Sequence, residues 1–308
     1  MSFETLQDKI RKLKNPTVAG LDARLEYIPS FILNKHISQY GETRRAAAEA
    51  VYEFDCGLMD ALQDIVPAVK PQSAYFEMLG WEGMEILERI IRYAKEKGFY
   101  VIADIKRGDI GTTATAYAQG WLGGIHVGNT FCQGFDADSV TLNAYMGSDA
   151  VKPFLNEAQQ RDKSLFVLVH TSNASSLELQ DMVCGDRLVY TAMGELVGRW
   201  GGAEELDRYG YNRVGAVMGA TFPGDLRRMR ELLPHTFFLV PGYGAQGGTA
   251  ADVSYAFDRY GHGAVVNSSR GIMCAWQKTG NNGEDYQEAA RSAAISMRDA
   301  IALYTKVI

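Results

Sequence analysis

The chain has 308 residues, 46% hydrophobic and 22% charged, with a formal net charge of −6. That composition suits a globular protein with a sizeable core, and the mild acidity argues against general nucleic-acid binding, which needs a basic stripe. No apolar run approaches the ~18 residues of a membrane span, and the first fifteen residues read as an amphipathic helix rather than a signal peptide. A soluble, cytoplasmic protein with neither nucleic acid nor membrane as partner is expected. Cys56, Cys132, Cys184 and Cys274 stand far apart, form no CxxC pair and read as free thiols.

Along the chain, short apolar runs predict strands over residues 17–21, 66–69, 100–105, 139–142, 165–169, 214–218, 237–240 and 263–266. Helical patterns separate them, such as the stripe Ala50, Phe54, Leu58, Ala61, Leu62 and the stripe Leu87, Ile90, Ile91, Ala94. A long helix is predicted near residues 284–304. Alternation alone fits a doubly wound open sheet as well, but eight βα units in succession favour a (β/α)₈ TIM barrel. One α/β barrel domain over residues 1–308 is expected, with helical insertions at 26–41, 120–136 and 172–207, the last able to cover a site.

The segment Val101-Ile-Ala-Asp-Ile-Lys-Arg-Gly-Asp-Ile110 ends an apolar strand in Asp104, Lys106 and Asp109. Side chains two apart on a strand share a face, and charges at the end of a buried strand are costly unless paired. Asp22 ends strand 1 and Lys70 ends strand 2. A ring of Asp22, Lys70, Asp104 and Lys106 is self-neutralising, because each charge is held by opposite neighbours. At the C-terminal ends of three successive strands, such a ring marks the catalytic face of a barrel.

Strand 7 runs into Val240-Pro-Gly-Tyr-Gly-Ala-Gln-Gly-Gly248, whose glycines permit close ligand approach and are expected to expose N–H donors. Strand 8 runs into Val266-Asn-Ser-Ser-Arg-Gly271, where Arg270 suits a bidentate phosphate contact. Loops after strands 7 and 8 are the common phosphate site of barrels. Strand 5 ends in Thr171 and Ser172, which as a bare pair also fit a turn or helix cap. Asn143 ends strand 4 and is expected to line the site. The five histidines show no metal-ligand spacing, and His170, at a strand end, is read as structural. No GxSxG elbow is present.

The pattern Asp104-x-Lys106-x-x-Asp109-Ile110, followed by Thr113, resembles the signature of the orotidine 5′-phosphate decarboxylase family, in its extended bacterial branch. The resemblance runs from Asp22 to Arg270 in matching order, with Gly111 where the family has proline. It implies conversion of orotidine 5′-phosphate to UMP and CO₂ by a homodimer with shared active sites, without cofactor or metal. By the same resemblance, Lys106 stabilises and protonates a C6 carbanion while Asp104 crowds the departing carboxylate. Lys70 and Asp22 hold the network and meet the ribose hydroxyls. Asp109, Ile110 and Thr113 are expected from the partner subunit. Ser172, assisted by Thr171, would bind the pyrimidine edge, Pro241 would wall the base pocket, Gln246 would bridge base and phosphate, and Arg270 would hold the phosphate. Ser269, in the strand-8 loop, joins the substrate-binding set.

Three other readings fit parts of the pattern. A Mg²⁺-dependent decarboxylase of a sugar acid phosphate, such as 3-keto-gulonate 6-phosphate, shares the Asp-x-Lys-x-x-Asp spacing. A Schiff-base aldolase would use Lys106 or Lys70. A nucleotide-binding regulatory barrel would have little need for a costly Asp-Lys-Asp cluster.

Overall fold

The computed structural model describes residues 2–22 and 24–308. Eight parallel strands close into a barrel: β1 (Thr17–Leu21), β2 (Ala68–Pro71), β3 (Tyr100–Arg107), β4 (Ser139–Leu142), β5 (Ser164–His170), β6 (Val214–Met218), β7 (Phe238–Val240) and β8 (Ala264–Ser268). Each pairs with its neighbours in chain order, and β8 returns to β1. The expected closed barrel is therefore present. Its strands are buried on both faces, which is why they read as continuous apolar runs. β2 starts two residues later than expected. Val66 N–H still closes the preceding helix on the Leu62 carbonyl, and Pro67 has no N–H to give a ladder.

Strand alternation sorts the core into two layers. Val18, Ala68, Ile102, Phe166, Val217, Leu239 and Val265 pack together with Phe3, Leu6 and Ile10 of the helix Ser2–Leu13. This helix plugs the N-terminal end of the barrel: Ser2 Oγ lies 2.8 Å from the hydroxyl of Tyr100, at the start of β3. Residues of opposite parity, including Ala19, Val69, Val101 and Val140, pack against the surrounding helices, among them Arg44–Leu62 and Gly80–Glu96. With the floor filled mainly by apolar side chains and a few buried hydroxyls such as those of Tyr100 and Ser139, the charged groups of the inner face gather at the C-terminal mouth.

The insertions differ in kind. Residues 26–41 carry the helix Ser30–Tyr40. Residues 120–136 finish the helix Gly111–Leu122 and form a hairpin, Gly124–Val127 with Thr130–Gln133. That hairpin enters β4 and so lies on the side of the barrel opposite the mouth. Residues 172–207 hold the turn Ala174–Glu178, a short hairpin, Val183–Cys184 with Arg187–Leu188, and the helix Val189–Gly201. The last helix is Tyr286–Ala302. Among the described residues no helix is long and apolar enough to cross a membrane, and the four cysteines are free.

Candidate active site

Inner-face alternation carries directly into the mouth. Ala68 is followed two residues on by Lys70, and Ile102 by Asp104. Lys70 and Asp104 are each 5% exposed. Asp104 Oδ2 accepts from Lys70 Nζ at 2.7 Å and from Gln72 Nε2 at 3.0 Å. Its Oδ1 accepts from Lys106 Nζ at 2.6 Å and from Thr141 Oγ1 at 2.8 Å. Two donors on each oxygen use the full capacity of a carboxylate, so the buried charge is compensated.

Lys106 reaches Asp104 by a less regular route than alternation. β3 bulges against β4, the register passing from Ala103 opposite Val140 to Arg107 opposite Leu142. Lys106 itself has φ +46°, a left-handed conformation rare for a residue with a side chain. The backbone N–H groups of Ile105 and Lys106 both donate to Thr141 Oγ1 at 3.0 Å.

Burial alone would push the Asp104 carboxyl up. The neighbouring Lys70 and Lys106 ammoniums and their hydrogen bonds outweigh it and hold Asp104 far below the usual carboxylate range. Burial likewise disfavours charge on Lys70, but Asp104 and Asp22 overcome it and keep the ammonium protonated. Asp22 lines the same cavity and acts on Lys70 through its field, making no direct ion pair among the described residues. The side chain of Lys106, 46% exposed, is the open end of the array.

A cavity of about 650 Å³ covers this array and extends to the loops after β7 and β8. The size suits a single nucleotide. Asp22, Lys70, Asp104, Lys106, Thr171, Ser172, Pro241, Gln246, Ser269 and Arg270 all line it. Gly20 is required where β1 meets the β8 loop, since a Cβ there would lie 2.0 Å from Ser269 Oγ. Gly242, at φ +98°, lets Ser172 close onto the β7 loop. The Ser172 hydroxyl has no protein partner among the described residues, whereas Thr171 Oγ1 is committed within its loop, donating to Asn173 and accepting from Gln180.

Two expectations need correction. The glycine-rich loop spends most of its amides on itself: Gly244, Ala245, Gly247 and Gly248 all donate to carbonyls of the same loop. The glycines serve its tight path, and Arg270, braced on the Ala245 carbonyl at 3.3 Å, is the cation at this end. Asn143, expected in the wall, is exposed outside the cavity and caps the Tyr145 amide instead.

Asp109, Ile110 and Thr113 also lie outside the chain's own cavity. Asp109 accepts from the Ile110 amide, and Ile110 is 53% exposed. Sequence reasoning missed Gln72 and Thr141. The signal was parity: Gln72 stands two residues after Lys70, and Ser139 and Thr141 are the polar alternates of β4.

His170 follows its expected structural part, by way of a shift. Register slips between β5 and β6, so that Val217 faces Leu168 but Met218 faces His170. The imidazole turns away from the mouth and stacks between Tyr190 and Phe222, centroids 4.4 and 4.5 Å away. Nε2 faces Asp181 at 3.6 Å and Nδ1 faces Asp225 at 3.7 Å. One ring nitrogen and one oxygen of each carboxylate lie within 4.8 Å of one another, with His170 buried and both carboxylates partly exposed.

The chain is similar to known proteins over its whole length. The family model described as Orotidine 5'-phosphate decarboxylase / HUMPS family matches residues 54–281. A Rhodopirellula baltica protein named orotidine 5'-phosphate decarboxylase is 40% identical, covering 98% of this chain and 99% of its own. One of the same name from Caldicellulosiruptor bescii is 35% identical, covering 97% of each. The solved structure of Leishmania donovani OMP decarboxylase superposes with a TM-score of 0.72 at 31% identity, covering 97% of this chain and 99% of that one. With its barrel, its charged mouth and relatives matched end to end, the chain belongs to the orotidine 5'-phosphate decarboxylase / HUMPS family.

Proposed function

We infer that this chain converts orotidine 5′-phosphate to UMP and CO₂, a step of pyrimidine biosynthesis, with residues 1–308 as one catalytic barrel. The relatives matched over nearly their full length carry the decarboxylase name. The observation that carries the reading is one cavity with Asp104 clasped by two lysines at one end and Arg270 at the other.

Decarboxylation breaks the bond from C6 to its carboxylate and leaves the electron pair on C6, where nothing in the ring simply delocalises it. The Lys106 ammonium supplies preorganised positive charge to that pair, and its proton forms the new C6–H bond. Its partial exposure lets it regain a proton from solvent. Ionised Asp104 stands beside the departing carboxylate as a like charge, and Lys70 holds it from the buried side. Asp22 and Lys70 meet the ribose hydroxyls. Ser172 takes the pyrimidine edge, with Pro241 as the wall, while Gln246, Ser269 and Arg270 hold the phosphate. Binding energy from the remote phosphate is available to the transition state. Thr171 acts on substrate only through the loop it stabilises.

The proposal includes a homodimer in which Asp109, Ile110 and Thr113 enter the partner's cavity. Their position outside the chain's own cavity, with apolar Ile110 exposed, supports it. Cytoplasmic residence is also proposed, in keeping with four free cysteines. Purified protein mixed with orotidine 5′-phosphate should lose the orotate absorbance and release one CO₂ per UMP formed. An unchanged spectrum, with substrate bound, would refute the assignment.

A further inference from the structure

We propose that Thr141 is a positioning residue for the reaction: its single hydroxyl sets the backbone conformation that presents Lys106 to C6. The inference rests on the role proposed above for Lys106.

A threonine hydroxyl has one proton and two lone pairs. Here all three are used at a residue only 1% exposed. The oxygen accepts the N–H groups of Ile105 and Lys106, both at 3.0 Å, and the proton goes to Asp104 Oδ1 at 2.8 Å. In a regular strand consecutive N–H groups point to opposite sides. In β3 they converge on one oxygen, as successive amides do around an anion in a backbone nest. That convergence requires the bulge opposite Val140–Leu142 and accompanies the positive φ of Lys106. Without an acceptor at this point two buried amides would be orphaned, and the left-handed turn would lose what compensates its strain. β3 would relax toward its ordinary ladder, and the Lys106 ammonium would leave its place beside Asp104. Thr141 also orients Asp104, because a hydroxyl whose lone pairs are both occupied can only donate to it. It therefore couples the two reacting charges through one side chain at the wall of the cavity. β4 provides the site by parity, since Ser139 and Thr141 face inward while Val140 faces the helices.

The test compares Thr141→Val, which keeps the shape and removes the hydroxyl, with Thr141→Ser, which restores it. Turnover of orotidine 5′-phosphate and affinity for UMP are measured on each. Thr141→Val should lose about 100-fold in kcat, the scale of an ångström-sized misplacement of a catalytic group. KM and UMP affinity should stay within about threefold, since phosphate, ribose and base contacts lie elsewhere. Thr141→Ser should regain most of the lost turnover. A residue that merely supports the fold would shift KM, UMP affinity and kcat together, and Ser would not rescue kcat selectively. Should Thr141→Val not accumulate folded, Thr141→Cys carries the same test through its weakly hydrogen-bonding thiol, with kcat expected at least tenfold down and UMP binding retained. Wild-type kcat in the folded Val or Cys protein, alongside an inactive Lys106→Ala, would overturn the inference while leaving the role of Lys106 standing. An active Lys106→Ala protein would instead sink the assignment of Lys106.

Discussion

Lys106 holds Asp104 at 2.6 Å from a left-handed backbone position, while Lys70 holds the other oxygen of the same carboxylate at 2.7 Å from a regular strand. The two lysines therefore differ in mobility and access. Lys70 is buried and fixed; Lys106 is half open to the cavity. That asymmetry supports the proposed division of roles, with proton transfer by Lys106 and the scaffold held by Lys70.

Asp104 ties the site to acid stability. Its folded pKa lies below the unfolded value of 3.8. Its contribution to stability is therefore complete above about pH 4 and is lost as pH falls toward the folded pKa. Urea unfolding of wild type and Asp104→Asn between pH 7 and pH 3 should show a difference that shrinks as the solution is acidified. At neutral pH the variant should be less stable by about 3–5 kcal/mol, because Lys70 loses its buried counter-charge. A constant difference across the range would contradict the depressed pKa.

Arg270→Ala should weaken substrate binding with the fold intact. A charge-assisted hydrogen bond contributes about 1.5–3 kcal/mol, so KM should rise about 10- to 150-fold, with kcat/KM falling at least as far. Steady-state kinetics would show this, and unchanged constants would remove Arg270 from the phosphate site.

A shared dimer site is open to complementation. Lys106→Ala and Asp109→Ala homodimers should each be inactive. After subunit exchange, a mixed dimer joins one intact Lys106 to one intact Asp109 in one of its two sites. Random exchange should restore about a quarter of the wild-type sites. No recovery after proven exchange would argue that each chain works alone.

Chelation separates this reading from a Mg²⁺-dependent relative. Turnover of orotidine 5′-phosphate should survive treatment with EDTA and dialysis, because Lys106 supplies the positive charge at C6. Activity lost on chelation and regained with Mg²⁺ would contradict that.

Much of the site was legible because a barrel strand has only two faces. Period-two alternation carries Val18 to Asp22, Ala68 to Lys70 and Ile102 to Asp104, so a charged residue at a strand end had to enter the mouth. The departures lie where the backbone leaves the regular strand. The register slip in β5 turns His170 outward, and the bulge in β3 makes Lys106 depend on Thr141, a partner distant in sequence. Local pattern contains neither event, since both are fixed by the neighbouring strand. The same limit applies to the β7 loop, whose glycines suggested open amides that the folded loop closes on itself. Asn143 shares the parity of Thr141, but β4 ends at Leu142, one residue short of it, and past the strand its side chain caps the Tyr145 amide.

The account depends most on Lys106 as the group that stabilises and protonates C6, and the kcat of a folded Lys106→Ala protein measures that directly. General acid catalysis contributes about 10²–10⁴-fold, and the lost charge adds to it. Turnover should therefore fall by at least about 10³-fold, with UMP still bound. A folded Lys106→Ala protein that decarboxylates within tenfold of wild type would contradict the account.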